Sequence, residues 1–150
     1  VRRGDNIGRP DFYPIPTTDY YRYVVEKYFP TEPIIVISDD PKWCQDQEYF
    51  GDDRFFVNES VDYYDHQTLE GDGKMKQSAI PYVDLCLMSL CTDAIISNST
   101  LSWWGAWLQK NKDHKVVAPN PWFGDRLSHN DLSDLLPEGW ITENFEETGN

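Results

Sequence analysis

Ala94-Ile95-Ile96-Ser97-Asn98-Ser99-Thr100-Leu101-Ser102 begins as a bare apolar run, passes through a cluster of hydroxyls and enters a helix that restarts near Leu101 and continues through Leu108. An apolar run without polar alternation suits a strand buried on both faces of a parallel sheet. The pattern recurs on either side. Ile34-Ile35-Val36-Ile37 is closed by Ser38-Asp39-Asp40, and Pro41 then suits the first turn of a short helix through Gln47. Arg54 to Val57 reads as a short strand, and Lys115 to Ala118 as a buried one closed by Pro119 and Pro121. Helices are expected over Asp19–Phe29, where Tyr20, Val24 and Tyr28 form one stripe, from Ala79 to Cys91, and over Leu132–Leu136. Asn58 to Lys76, polar, acidic and punctuated by Gly71 and Gly73, reads as a mobile loop. Strands alternating with helices along the whole length predict an α/β fold, a parallel sheet with helices on both faces. Val1 to Asp5 reads as the tail of a strand running into a glycine turn. The expectation is therefore one domain of a longer chain, with the front of its first strand missing.

Composition narrows the function. The 150 residues carry 26 acidic and 13 basic side chains, a formal charge of −13. A chain this acidic repels nucleic-acid phosphate and anionic lipid, so neither is an expected partner. An aromatic share of 15% argues for a packed core against a disordered acidic chain. No apolar run approaches the length of a membrane span. Cys44, Cys86 and Cys91 lack metal-ligand spacing and are expected as buried free thiols. Free thiols and the lack of a membrane span favour a cytoplasmic location. The histidines are isolated, and no serine or cysteine sits in a nucleophile-elbow pattern, so a hydrolase triad is unsupported.

Ligands of parallel α/β sheets bind beyond the carboxyl ends of the strands, which directs attention to the residues after Val1, Ile37, Ile96 and Ala118. Residues 1–9 carry a net charge of +2, while residues 39–72 carry −9. Arg2 and Arg3 could clamp a diphosphate, with Gly4 permitting the turn and Asp5 orienting a guanidinium, or could be an ion-paired surface turn. Asn98, Ser99, Thr100 and Ser102 could donate to an anion at a helix start, or one hydroxyl could simply cap that helix. Asp39 and Asp40 could hold a metal, cap the helix at Pro41 or contact a ribose; without a second acid cluster, the cap or ribose role is favoured. Trp103 and Trp107 share one helical face, and Trp104 and Leu108 its neighbour. Both faces are expected to be buried.

The strings "VRRGD" (1–5), "IIVISDD" (34–40), "DLCLMSLCTDAIISNSTLSWWGAWL" (84–108) and "VVAPNPWF" (116–123), in this order, resemble the α-1,2-fucosyltransferases. The resemblance implies the C-terminal, Rossmann-like nucleotide-binding domain of a two-domain transferase, with the acceptor domain elsewhere. It implies inverting, metal-independent transfer of L-fucose from GDP-fucose to the 2-hydroxyl of a galactose-type glycan, with no cofactor. By that likeness Arg2 would hold the donor diphosphate, Arg3 would support it and Asp5 would fix the turn. Asp84 would stand near the guanosine, and Ser99, Thr100 and Ser102 would donate to phosphate. Asp39 and Asp40 would be structural or ribose-side. Asp11 is the candidate base for the acceptor hydroxyl. A eukaryotic source would move the expected location to the Golgi lumen. The competing readings are a non-catalytic GDP-binding module and a transferase for another GDP-sugar.

Overall fold

A computed structural model of the chain describes residues 1–58, 81–111 and 113–145, without the side chain of Asp5. The expected loop over Asn58–Lys76 lies, from residue 59 onward, outside the described residues. Helix α1 spans Thr18–Tyr28. Its N-cap Thr17 accepts the Tyr20 amide through Oγ1 (3.3 Å), satisfying one of the first-turn N–H groups. The helix ends where Phe29 N–H turns back to Val25 O (2.8 Å), just before Pro30. Its buried face is Tyr20, Tyr21, Val24 and Val25.

Strand β1 (Ile34–Val36) leads into α2 (Pro41–Gln45), and a 3-10 turn at Glu48–Gly51 leads into β2 (Phe55–Val57). Helix α3 (Pro81–Leu90) is followed by β3 (Ala94–Ile95), α4 (Thr100–Trp107), β4 (Val116–Asn120) and β5 (Ile141–Asn144). All strand pairs are parallel: Ile34 lies opposite Phe55, Ile95 opposite Val117 and Val117 opposite Ile141. The strands form two sheets, β1-β2 and β3-β4-β5, where a single one was expected. One core cluster joins α1, α2 and the first sheet to Val117 and Phe145. A second gathers Ile96, Ala106, Val116, Ala118 and Trp122.

Several expectations need correcting. Residues 132–136 form turns instead of a helix: the Leu135-to-Leu132 bond closes a single turn, and Pro137, which has no N–H, cannot extend it. Strand β5 went unrecognised although Ile141, Thr142, Glu143 and Asn144 alternate in burial. Val116–Ala118 are buried as expected of a central strand, although Lys115 is exposed and the strand runs through Pro119 to Asn120; Ile35 and Phe56 are 48% and 58% exposed, so the β1-β2 sheet is covered on one face only. On α4 the residues turned inward are Gly105 and Ala106, with Gln109 just beyond the helix, while Trp104, Trp107 and Leu108 are about half exposed. Of the free thiols only Cys44 is buried; Cys91 is half-buried and Cys86 exposed. No helix among the described residues is long and apolar enough to cross a membrane.

Candidate functional site

A cleft of about 1490 Å³ runs between the two sheets, lined along its length by Ile34–Ile37 and Ala94–Ile96. At its mouth stand Arg2, Arg9, Asp39, Asn58, Asp84 and the Ser97–Ser102 segment.

The arginine turn is built against the end of β1. The Val1 amino group donates to Ile37 O (2.6 Å), and Arg3 N–H donates to Asp39 Oδ1 (2.8 Å). Arg2 Nη1 lies 2.7 Å from Asp39 Oδ2, a pair in which Asp39 is largely buried. A Cβ at Gly4 would overlap Asp39 Oδ2 and stand 3.5 Å from Arg2 Cζ. A side chain at this position would have to displace the carboxylate from its place beside Arg2. Arg3 turns away from the cleft: its guanidinium covers the Trp43 ring at 3.9 Å, and its Nε reaches Asp40 Oδ2 at 3.4 Å. Asp40 is also the N-cap of α2, accepting Trp43 N–H (3.1 Å), while Ser38 Oγ accepts Asp40 N–H (3.0 Å). The two aspartates after β1 thus have different partners, one fixing Arg2 and one capping a helix that carries the platform for Arg3.

Across the mouth, Ser99 occupies the N-cap position of α4, but its side chain makes no capping bond. The first-turn amides of α4 therefore lack the side-chain acceptor that usually serves them. Ser102 Oγ donates inward, to the carbonyls of Ser97 and Ser99 (both 2.9 Å). Asn98 is buried, and its Nδ2 donates to Pro14 O (2.7 Å) and Trp122 O (3.1 Å), which ties three loops together. Its Oδ1, an acceptor only, has no partner among the described residues.

Asp84, in the first turn of α3, is 6% exposed, and its Oδ1 accepts Asn58 Nδ2 (3.2 Å). Burial raises the carboxyl's pKa above the ordinary range, opposed by the Asn58 hydrogen bond. Asn58 is the first residue after β2, a strand end that the sequence reading passed over; applying the same rule to Val57 would have found it.

The structure thus gathers Arg2, Asp39, Asp84, Asn98, Ser99, Thr100 and Ser102 around one mouth, and leaves Arg3 and Asp40 behind its wall. Asp11 is exposed on the loop against Arg126 (Nε to Oδ2, 3.9 Å) and does not line the cleft. Among the described residues there is no cluster of His, Cys, Asp or Glu suited to a metal ion.

The chain is 38% identical over 148 residues to the O-antigen biosynthesis glycosyltransferase WbnK of Escherichia coli, covering 94% of this chain and 42% of that protein. It is 35% identical over 149 residues to an alpha-1,2-colitosyltransferase of Escherichia coli, covering 94% of this chain and 45% of that protein. The chain therefore spans less than half the length of these relatives. No solved structure matches it. The model of glycosyl transferase family 11 matches residues 1–144, and the chain belongs to that family.

Proposed function

We propose that the chain is the donor-binding, C-terminal part of a two-domain transferase that moves L-fucose from GDP-fucose to the 2-hydroxyl of a galactose-type glycan, with inversion and without a metal. The observation that carries this reading is the cleft itself, lined by both an arginine locked by Asp39 and the uncapped start of α4. A guanidinium presents a planar fork to phosphate oxygens, and helix-start amides favour an anion. Arg2, Ser99 and Thr100 would hold the diphosphate, with Arg3 and Asp5 supporting the turn. Asp84 and Asn58 sit where they could read the nucleobase, since a carboxylate accepts from the N–H groups on a guanine edge.

In such a transfer the acceptor hydroxyl oxygen bonds to the anomeric carbon as the carbon–oxygen bond to the diphosphate breaks. The electron pair leaves with the GDP, and the hydroxyl proton passes to a base. The chain's contribution is to position the donor and stabilise the charge growing on the diphosphate. Asp11, paired with Arg126 outside the cleft, is not assigned the base role. The expected location is the cytoplasm.

A second reading concerns the donated sugar. One relative is named for transferring colitose, which favours another sugar on the same kind of nucleotide donor as the alternative substrate. Replacing Arg2 by Ala in the full-length enzyme tests the reading common to both. Loss of a preorganised donor to developing charge costs about 2.7–4 kcal/mol in transfer, read as a roughly 100- to 1,000-fold drop in turnover with either donor. Calorimetry with GDP on the same variant should show weakened binding. Near-normal turnover would refute the assignment, and GDP binding by an intact full-length protein that turns over neither donor would identify a binding module instead.

A further inference from the structure

Helices α3 and α4 carry between them a single charged residue, Asp84, and its carboxylate is buried at the cleft. A surface helix normally turns charged side chains to water. Helix α1 does so, with Asp19, Arg22, Glu26 and Lys27 all exposed. On α3 and α4 the outward side is apolar instead. Gly105 meets Met88 where the two helices touch, and Ala106 joins the core cluster of Ile96, Val116 and Ala118. At roughly 100° per residue, Trp104 and Leu108 then project from the side of α4 turned away from that core, and both are about half exposed. On α3, Asp84, Leu87 and Met88 line the cleft, while Tyr82, Leu85, Cys86 and Ser89 form the outward stripe. Tyr82 is 64% exposed, and Cys86 is an exposed thiol. Trp107 and Leu90, also exposed, flank the pair.

We infer that this α3–α4 face is the contact between two copies of the protein, packed about a two-fold axis with one helix pair against the other. Its composition is that of an interface core, depleted of charge and rich in Trp, Tyr and Leu. Its size fits as well. An aromatic side chain buries about 150–250 Å², so Tyr82, Trp104 and Trp107, together with Leu90 and Leu108, leave roughly 400–500 Å² in water. That equals the largest apolar patch of a typical monomer, about 300–600 Å². Doubled by the two-fold axis, and ringed by the half-buried Leu85, Ser89 and Leu101, it reaches the roughly 1,000 Å² that a specific interface needs. Two other covers fit less well. A chain of charge −13 is repelled by anionic lipid, and interfacial helices present Lys and Arg on their polar side, where α3 and α4 have none. Under the proposed function the acceptor-binding part of the protein lies across the mouth, where both helices begin. Leu90, Trp107 and Leu108 stand at their far ends, about 12 Å along an eight-residue helix. A second copy brings an identical apolar face and so requires no other complementary surface.

Sedimentation equilibrium of the full-length enzyme, with site-resolved alkylation of Cys86, tests the inference. The parent should be a dimer that dissociates on dilution, and Cys86 should react slowly in the dimer and fast in the monomer. Leu108→Arg places a cation at the C-terminal end of α4, where a helix tolerates it, and the two-fold axis brings two such cations into the contact. Dimerisation should weaken about 100-fold or more, with the circular dichroism and GDP affinity of the dilute protein unchanged. Tyr23→Glu, on the exposed side of α1, which packs on the other core cluster, should leave the dimer intact. If Leu108→Arg fails to fold, the concentration dependence of Cys86 alkylation in the parent decides alone. A parent that is monomeric at every concentration overturns the inference, and its sedimentation with phosphatidylglycerol vesicles would make lipid the cover. Protection of Cys86 that persists on dilution also overturns it, marking the rest of the same chain as the cover, as does a dimer that a folded Leu108→Arg variant leaves unchanged. None of these readouts is turnover, so failure of the dimer and failure of the donor assignment are separable.

Discussion

Gly4 and Asp84 each owe their importance to one neighbour. Gly4 leaves room for the Asp39 carboxylate that fixes Arg2, and any side chain there must push the carboxylate or the arginine aside. Gly4→Ala should therefore weaken GDP binding while barely moving the melting temperature, because Gly4 is exposed and anchors no core. Gly8→Ala, where a Cβ meets nothing within 4 Å, is the matched control and should leave affinity unchanged. Calorimetry with GDP alongside thermal melts would separate the two, and equal affinities would contradict the proposed role of the glycine. Asp84 carries the opposite kind of signature, a buried carboxyl whose charge is disfavoured. Its folded-state pKa lies above the ordinary 3.8, so the folded state holds the proton more tightly than the unfolded one. Stability falls as pH rises through that interval, and above the folded pKa the full penalty applies. Asp84→Asn removes the charge and keeps a partner for Asn58. It should melt higher than the parent at neutral pH, with the advantage shrinking as pH falls toward 3.8, and it should bind GDP less well if Asp84 reads the base. A stability difference that does not change with pH would show that burial of the charge is not its source.

Helix α4 shows how much of an element can be read in its sequence. Its start was legible, because hydroxyl residues after an apolar run are an N-terminal signal, and Thr100–Trp107 follows. Which face it buries was not legible, since tryptophan outweighs glycine and alanine in any hydrophobic count. The packing depends on closeness, as a Cβ at Gly105 would stand 2.7 Å from Met88 Cβ, so α3 and α4 meet through their smallest residue. The same reasoning explains β1. Its apolar run identified a strand, but whether both faces are covered depends on what lies beyond it, and Ile35 faces the cleft. Strand β5 and the Asn58–Asp84 bond were hidden for a related reason, as each depends on a partner distant in sequence. Within α4 the tryptophans differ in their partners, although Trp104 also packs edge-on against Trp103 (5.0 Å). Trp103 stacks on Trp107 (5.4 Å), contacts Trp140 (5.6 Å) and donates Nε1–H to Leu135 O (2.8 Å). Trp103→Ala should cost about 3 kcal/mol. Trp104→Ala, at a position 47% exposed, should cost under about 1 kcal/mol. Urea denaturation of the two variants checks this, and equal losses would mean that the Trp103 contacts are not what hold the helix.

At the scale of the whole molecule, the first fourteen residues straddle the two sheets. One end is bound to the end of β1 through Val1–Ile37 and Arg3–Asp39. The other end is held by Asn98 after β3, which donates to Pro14 O and to Trp122 O after β4. Phe12 O and Asp11 O add bonds from Gly124 N–H (2.9 Å) and Arg126 N–H (3.0 Å). The arginine turn and the α4 start therefore keep a fixed separation only while this segment is tied at both ends. Under the proposed function, a fixed separation lets the two walls hold a flexible diphosphate in one conformation. Asn98 is the central tie, since no other residue type of its size offers two amide hydrogens to two buried carbonyls. Asn98→Ala would leave both carbonyls unpaired, at about 1–3 kcal/mol each. Asn98→Asp would be worse, because it sets an acceptor against two acceptors. The Ala variant should unfold at lower denaturant concentration and, under conditions where it remains folded, bind GDP more weakly than its loss of stability alone explains. A folded Asn98→Ala protein with unchanged GDP affinity would mean that the two walls of the mouth hold their spacing without this tie.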